Sequence, residues 1–554
     1  MKTPRIKMYL AAAVAAVSFL TAVWAAEESP KIRFNTIGYL PGKEKKASIA
    51  TTCTQFAVVR VKDGSKAFEG ATTGPILNSD TQERLCIADF SALKETGEYQ
   101  LNIAGVGRSA PFRVAADVYS QPFYVVMRGM YLWRCGTAVS GKHNGQIFAH
   151  GPCHIEDAWL DFVGGDHVRK DSTKGWHDAG DYNKYIVNAG ITVGSMFRAW
   201  EDFGPQIRKV RLDIPESGGK TPDFLAELKW ELEWLLTMQA PDGSVYHKLS
   251  TKRFGGFMLP ELEKDERYFT PWSSAATADF VAMTALAARH FRPYEPAFAD
   301  RCLEAAKKSY DFLKAHPEDH RADLRGFSTG GYGTRDPDDR LWAAAELWET
   351  TGETDLRRDF EARAKSMQPT VDRDWDWGNV KNLGLFTYLL SQRPGRDQTL
   401  VKQVRESLLA TADGIVKTRN AHGYARPLGP VYYWGCNGSV ARQTLVLRAA
   451  YHLSPKPEYL DTALDALNHL FGRNCYGRSF VTGLGFRPPM NPHDRRSAGD
   501  KVADPWPGYL IGGPHPRATS WQDTQADYRT NEIAINWNAA LIYALAGFLE
   551  ASGW

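Results

Sequence analysis

Gly175-Trp-His-Asp-Ala-Gly-Asp-Tyr-Asn-Lys-Tyr185 runs straight into a segment of helical period at 187–204, and the reading of that junction decides the fold. Two carboxylates, Asp178 and Asp181, stand three residues apart among aromatic and amide side chains, at the end of a long irregular stretch. Far down the chain, Asp527-Tyr-Arg-Thr-Asn-Glu532 offers a single carboxylate in similar company, just ahead of another helical segment at 536–553. Two opposed carboxylates are what cleavage of a glycosidic bond needs: one protonates the leaving oxygen, and the other activates water or attacks carbon.

Outward from that junction the helical period continues through most of the chain. Segments near 119–136, 187–204, 221–239, 274–292, 296–317, 338–352, 354–369, 378–392, 396–420, 439–454, 457–474 and 536–553 all read as helices. Thr221-Pro222 marks one entry, and Gly352 and Gly472 mark exits. Twelve helices joined mostly by short turns predict six hairpins closed into an (α/α)6 barrel, with loops gathered at one end. The irregular stretches 137–186, 240–273 and 475–535 are too long for idle connections and are expected at the active face. Upstream, 31–115 reads as short strands at Ala47–Ala50, Phe56–Val61, Glu98–Ile103 and Pro111–Val114 with glycines between, the pattern of a small β-sandwich. The expected fold class is therefore mainly α, an (α/α)6 barrel preceded by an immunoglobulin-like sandwich. The expected division is 1–25 signal peptide, 30–116 sandwich and 117–554 helical catalytic domain.

The signal peptide is read from Lys2, Arg5 and Lys7, the apolar run Met8 to Val23, and the small residues Ala25 and Ala26. It predicts a secreted or periplasmic protein, and later hydrophobic stretches are interrupted by charges. With 67 basic and 64 acidic residues in 554, the net charge of +3 gives no field for nucleic acid or anionic lipid. The expected partner is a neutral substrate, bound by a monomer. Aromatics make up 12% of the chain, enough to supply both core and flat platforms for sugar rings. Seven cysteines, at 53, 86, 135, 153, 302, 436 and 475, cannot complete a disulfide framework, although Cys53 and Cys86 share one small domain and are candidates to pair.

Six ordered motifs carry a resemblance: Phe148-Ala-His-Gly-Pro-Cys-His154, Trp176-His-Asp-Ala-Gly-Asp-Tyr182, Pro215-Glu-Ser-Gly-Gly219, Trp377-Gly-Asn-Val380, Asn491-Pro-His-Asp-Arg495 and Asp527 through Asn538. Together they resemble glycoside hydrolase family 9, in the bacterial subgroup with an immunoglobulin-like domain ahead of the barrel. The resemblance implies an inverting hydrolase of β-1,4-glucosidic bonds in cellulose-type or mixed-linkage glucans, endo-acting. An exo-acting β-glucosidase or exo-β-glucosaminidase on the same fold is the alternative. It further implies Asp181 as general base, Glu532 as general acid and Asp178 as a holder of the attacking water. A base needs a donor or positive group close by, for which Lys184, Tyr185 or a backbone N–H would serve.

Substrate contacts implied by the resemblance are His493 and Arg495. The family commonly places a second His between these two, where this chain has Asp494, a departure that reads either as an altered preference, such as recognition of an amino sugar, or as a surface substitution. Trp272, Trp434, Tyr433 and Tyr528, with Trp506 and Trp521, are candidate stacking residues. Cys135, Cys153, His154 and His177 have the residue types of a structural zinc site, with His150 as a substitute ligand. Thr334, Asp336, Asp338 and Asp339 resemble a family calcium site, a set of hard oxygen ligands that would otherwise serve as a helix N-terminus. Pro215 to Gly219 with Asp223 and Glu227 form a second calcium candidate.

Overall fold

A computed structural model describes residues 28–550; the expected signal peptide at 1–25 lies outside the described residues. Ten strands come first: β1 (Ile32–Arg33), β2 (Gly38–Tyr39), β3 (Lys46–Ile49), β4 (Gln55–Arg60), β5 (Lys66–Ala71), β6 (Thr73–Asn78), β7 (Glu83–Asp89), β8 (Gly97–Ile103), β9 (Gly107–Arg108) and β10 (Phe112–Val114). They form two sheets, β1-β3-β7-β6 and β2-β10-β8-β4-β5, with β9 paired to β8. Between the sheets lies a core of its own, built from alternate residues such as Ala47 and Ile49, Phe56 and Val58, and Tyr99, Leu101 and Ile103. Strands β1, β2, β5, β6, β7 and β9 were not expected. β5 and β6 are largely exposed and therefore carry little apolar alternation. Cys53 and Cys86 remain thiols, as do the other five cysteines.

The remainder is mainly helical: α1 (Ser120–Leu132), α2 (Ile186–Ile207), α3 (Asp223–Thr237), α4 (Ser274–Phe291), α5 (Pro296–Ala315), α6 (Pro337–Thr351), α7 (Thr354–Ser366), α8 (Lys381–Leu390), α9 (Gln398–Ala421), α10 (Cys436–Leu453), α11 (Pro457–Leu470), α12 (Arg495–Gly499), α13 (Tyr528–Asn531) and α14 (Ile535–Ala546). All twelve expected helices are present, and α12 and α13 are added as short turns inside the long irregular stretch 475–535. Helix α2 packs on α4, α4 on α6 and α6 on α8; α9 links α8 to α10, and α14 returns against both α10 and α2. Composition explains who lies inside. Along α14 every residue from Ile535 to Ala546 is buried, whereas α9 buries only Leu400, Val404, Leu408, Ala412 and Ile415, a single stripe. Asp397 caps α9 through Thr399 and Leu400 N–H, and Gly352 ends α6 at φ +77°.

Five further strands position the site. β11 (Val139–His143) and β12 (Gln146–His150) form a hairpin; β13 (Lys184–Tyr185), β14 (Lys248–Ser250) and β15 (Tyr268–Phe269) form a small antiparallel sheet at the start of α2. The sandwich is bonded to the helical domain through buried polar contacts. Asn35 Nδ2 donates to Asn468 Oδ1 at 2.9 Å and to Tyr119 Oη at 3.1 Å, Ser48 Oγ donates to the Gly423 carbonyl at 3.0 Å, and His422 meets Asp80 at 3.1 Å. No helix of the described residues is long and apolar enough to cross a membrane.

Candidate active site

Residues 175–183, ahead of β13, form no helix or strand, so their backbone groups are bonded by neighbouring segments. Trp176 N–H donates to Glu231 Oε2 at 2.6 Å and its indole to Glu227 Oε1 at 2.8 Å. His177 N–H donates to the Trp133 carbonyl, Ile535 N–H to the Asp178 carbonyl, and the Trp133 indole to the Ala179 carbonyl. Gly180 is the point of closest approach. A Cβ there would lie 2.2 Å from the His493 carbonyl oxygen, so only glycine lets the 491–495 segment come against this loop. Arg495 secures the contact by donating Nη1 to the Gly180 carbonyl at 2.7 Å. His493 in turn forms a bridge with Glu532, so the closeness at Gly180 sets how far the late glutamate stands from the early pair.

Asp178, Asp181 and Glu532 line one chamber of about 440 Å³, with Tyr185, Phe254, Tyr332, Trp377, Trp434 and Trp537 among its walls. Asp178 Oδ1 accepts from Asn188 Nδ2 and Oδ2 from Tyr332 Oη, both at 2.7 Å. Asp181 Oδ2 accepts from Asn183 Nδ2 at 2.7 Å and Tyr185 Oη at 3.1 Å. Burial, then the neighbouring Asp181, pushes Asp178 up to about 8, against the pull of Asn188 and Tyr332. Burial, then Asp181 and Asp178, holds Glu532 well above the usual carboxylate range, only partly offset by Arg495. Both carboxyls are thus pushed the same way, toward the protonated form, the state in which a group can give a proton to a leaving oxygen.

Tyr185 is thus a donor beside Asp181, as expected. Lys184 is not: its Nζ donates to the Ser172 and Lys174 carbonyls at 2.8 Å and faces Asp157 at 3.6 Å, because alternation along β13 turns it away from Tyr185. Trp434, 47% exposed, lines the chamber, and Tyr528 packs against it with ring centroids 5.4 Å apart. His493 and Arg495 flank the chamber through Gly180 and Glu532. Trp272 stands elsewhere, stacked on His320 at 3.9 Å, and Tyr433 Oη is bonded to Asp374 and Ser439 outside the chamber lining. Trp506 and Trp521 are core. Asp494 is 1% exposed, so it is no surface substitution; it caps α12 and pairs with Arg496 at 3.1 Å, which engages its carboxylate within the protein. Residues missed in the sequence are Asn188, Tyr332, Phe254, Asp376 and Asn536. The first lies one helical turn beyond Lys184; Tyr332 follows Gly330-Gly331 in the irregular stretch 318–336, whose length was the available signal.

Cys135, Cys153, His154 and His177 each bring one ligand atom within 4.8 Å of the others, and this is the only such group among the described residues. The donor set is soft, and His177 Nδ1 is buried without a hydrogen-bond partner. His154 Nε2 rests on Glu263 at 3.2 Å, a carboxylate partner that would fix the ring with Nδ1 turned to a metal. His150 is turned to the Gly151 carbonyl and stays outside the group. These residues fit a tetrahedral zinc.

The calcium expectations fare differently. Asp336 pairs with Arg340 at 2.6 Å, Asp338 accepts from Val380 N–H at 2.7 Å, Asp339 is wholly buried beside Asp279, and Thr334 is exposed with its hydroxyl on backbone carbonyls. The oxygens of Thr334, Asp336 and Asp338 are turned to different partners, whereas both Asp339 oxygens are buried without a hydrogen-bond partner. In the second candidate, Glu227 is taken by Arg134 and Trp176, and Asp223 by Leu212 N–H and Ser217.

Carboxylates from two distant motifs sharing one aromatic-walled chamber are the arrangement a glycoside hydrolase requires. Residues 119–545 match the Glycosyl hydrolase family 9 domain and residues 27–108 the cellulase N-terminal ig-like domain. The chain belongs to glycosyl hydrolase family 9. It is 59% identical over 523 residues to Endoglucanase D of Acetivibrio thermocellus, covering 94% of this chain and 83% of that protein. Among solved structures, a family 9 protein of Bacteroides ovatus superposes with a TM-score of 0.86 at 32% identity, covering 94% and 98% of the two chains. A Zn-binding triple mutant of the family 9 endoglucanase J30 superposes with a TM-score of 0.85 at 32% identity, covering 92% and 99%.

Proposed function

We propose that this protein is an exported endo-β-1,4-glucanase that cleaves neutral β-glucan with inversion, in an (α/α)6 barrel whose inner ring is α2, α4, α6, α8, α10 and α14. The observation that carries the reading is the single chamber shared by Asp178, Asp181 and Glu532. Glu532, kept protonated by burial and by the acidic pair, gives its proton to the leaving oxygen. Asp181, with its donors gathered on Oδ2, takes a proton from water, and Asp178 orders that water beside it. Trp434, Trp377 and Trp537 supply apolar faces for successive glucosyl units, and the identity to Endoglucanase D supports internal cleavage. Asp494 faces Arg496, which removes the reason to favour an amino sugar.

Zinc, held by Cys135, Cys153, His154 and His177, would close the loop around Cys153 onto the motif that carries Asp178; with four protein ligands its contribution is structural. Export is supported by the charged start and apolar run of residues 2–26.

The acid assignment is tested by Glu532→Gln. Hydrolysis of unactivated glucan should fall by about 10²–10⁴-fold, while an aryl glycoside with a good leaving group suffers far less. Equal losses on both substrates would remove Glu532 from the role.

A further inference from the structure

Strand β14 and its flanks reach both members of the acidic pair through separate arms, although no side chain of that strand lines the chamber. On one arm, Lys248 Nζ donates to Thr329 Oγ1 and to the Gly330 carbonyl, both at 2.8 Å. His247 Nε2 lies 2.7 Å from the Gly331 carbonyl, which requires that nitrogen to carry the hydrogen, while Nδ1 rests on Ser273 Oγ at 2.8 Å. Ser250 Oγ meets Thr329 Oγ1 at 2.6 Å. Three consecutive residues, Thr329, Gly330 and Gly331, are therefore each held by a side chain from 247–250. The next residue is Tyr332, at φ +44°, a conformation that a bulky residue takes only when its surroundings impose it. Its hydroxyl is the donor on Asp178 Oδ2.

On the other arm, Thr251 donates N–H and Oγ1 to Asn183 Oδ1 at 2.9 and 3.2 Å, fixing the amide whose Nδ2 donates to Asp181. Backbone pairing joins the two, since Tyr185, the other donor on Asp181, is in register with Lys248.

We propose that residues 247–251 are a positioning strand for the base side of the reaction, with Lys248 and His247 acting through the Gly330-Gly331-Tyr332 loop to fix where Asp178 holds the attacking water. This rests on the reading of Asp178 and Asp181 as the base-side pair. Lys248 touches neither carboxylate, so it is a positioning residue. Its removal should displace Tyr332 without altering the sugar platforms at Trp434 and Trp537. A sub-ångström to ångström misplacement of reacting groups costs up to about 10²-fold in rate.

The test compares Lys248→Met, Lys248→Arg, Tyr332→Phe and the Lys248→Met/Tyr332→Phe double variant on a soluble aryl cello-oligosaccharide, well below each variant's Tm. The expected result is a fall in kcat of about 10- to 100-fold for Lys248→Met with KM within about twofold. Partial recovery is expected in Lys248→Arg, and the double variant should be little slower than Tyr332→Phe alone, because both changes act on the same carboxylate. A lowered Tm with kcat unchanged would make Lys248 merely structural and overturn the inference, as would fully multiplicative losses in the double variant. Asp181→Ala serves as the control for the parent reading: its inactivity beside an unaffected Lys248→Met sinks the strand alone, whereas its full activity sinks the base assignment itself.

Discussion

At the residue scale the decisive quantity is the proton on Glu532. Its carboxyl is raised well above the usual carboxylate range by burial and by two acidic neighbours, so it keeps that proton past the pH at which a free carboxyl loses it, and the loss ends general-acid help. The sign is unambiguous: activity depending on the protonated form is present below the raised pKa and falls as pH climbs through it. The pH dependence of kcat/KM on glucan should therefore show an alkaline limb. In Glu532→Gln, assayed on an activated aryl glycoside, that limb should vanish; its persistence would place it on Asp178, pushed up to about 8. Much of this residue-level picture was legible. Asp178, Asp181, Tyr185 and Glu532 sit in two compact motifs, and each motif's own neighbours supply part of its chemistry. Tyr332 and Lys248 were not legible, since they lie 154 and 70 residues from Asp178 and only the packing of loops brings them to the pair. Trp272 and Trp434 look alike in sequence; what separates them is that His320 covers one ring face of the first.

At the element scale, a loop-to-loop contact does what no single side chain can. The 175–185 loop, the 491–495 segment and the turn before α14 meet at Gly180, and Glu532 inherits its place from that meeting. Gly180→Ala would set a methyl group 2.2 Å from the His493 carbonyl, and the backbone of one segment must retreat. The expected outcome is a folded protein whose kcat falls by up to about 10²-fold with a modest loss of Tm, because the damage is a displacement between catalytic groups. Unchanged kcat in a stable Gly180→Ala protein would show that the separation is set elsewhere. Helix positions were readable because inner helices such as α2 are apolar or small nearly all round, and outer ones such as α9 show one stripe. Exposed strands β5 and β6 have no such stripe, which is why they passed as loop. The Asp336–Arg340 pair, at helical spacing, was present in the sequence as a plainer account of the acidic cluster than a calcium site.

At the scale of the whole molecule, the active face is assembled from chain segments separated by hundreds of residues, and its rigidity depends on cross-links other than disulfides. Zinc held by Cys135, Cys153, His154 and His177 would tie the β11–β12 hairpin region to the motif carrying Asp178. Treatment with a strong zinc chelator, or Cys153→Ser, should lower Tm and reduce the zinc bound per chain from one toward zero, with activity falling as the 175–185 loop loosens. A purified protein that holds no zinc and loses no stability on chelation would contradict the assignment. The sandwich adds a second brace through Asn35, Ser48 and Asp80, bonded to the α11 end of the helical domain and to the 422–424 turn. These contacts lie far from the chamber lining, so their expected effect is on stability.

The proposed inversion requires water to attack from the side of Asp178 and Asp181 while Glu532 protonates the leaving oxygen from the opposite side. Proton NMR of the products first released from a soluble β-1,4-gluco-oligosaccharide, recorded before mutarotation, tests this directly. The new reducing ends should appear as α-anomers. Initial release of β-anomers would mean retention, and would contradict the opposed base and acid on which the mechanism rests.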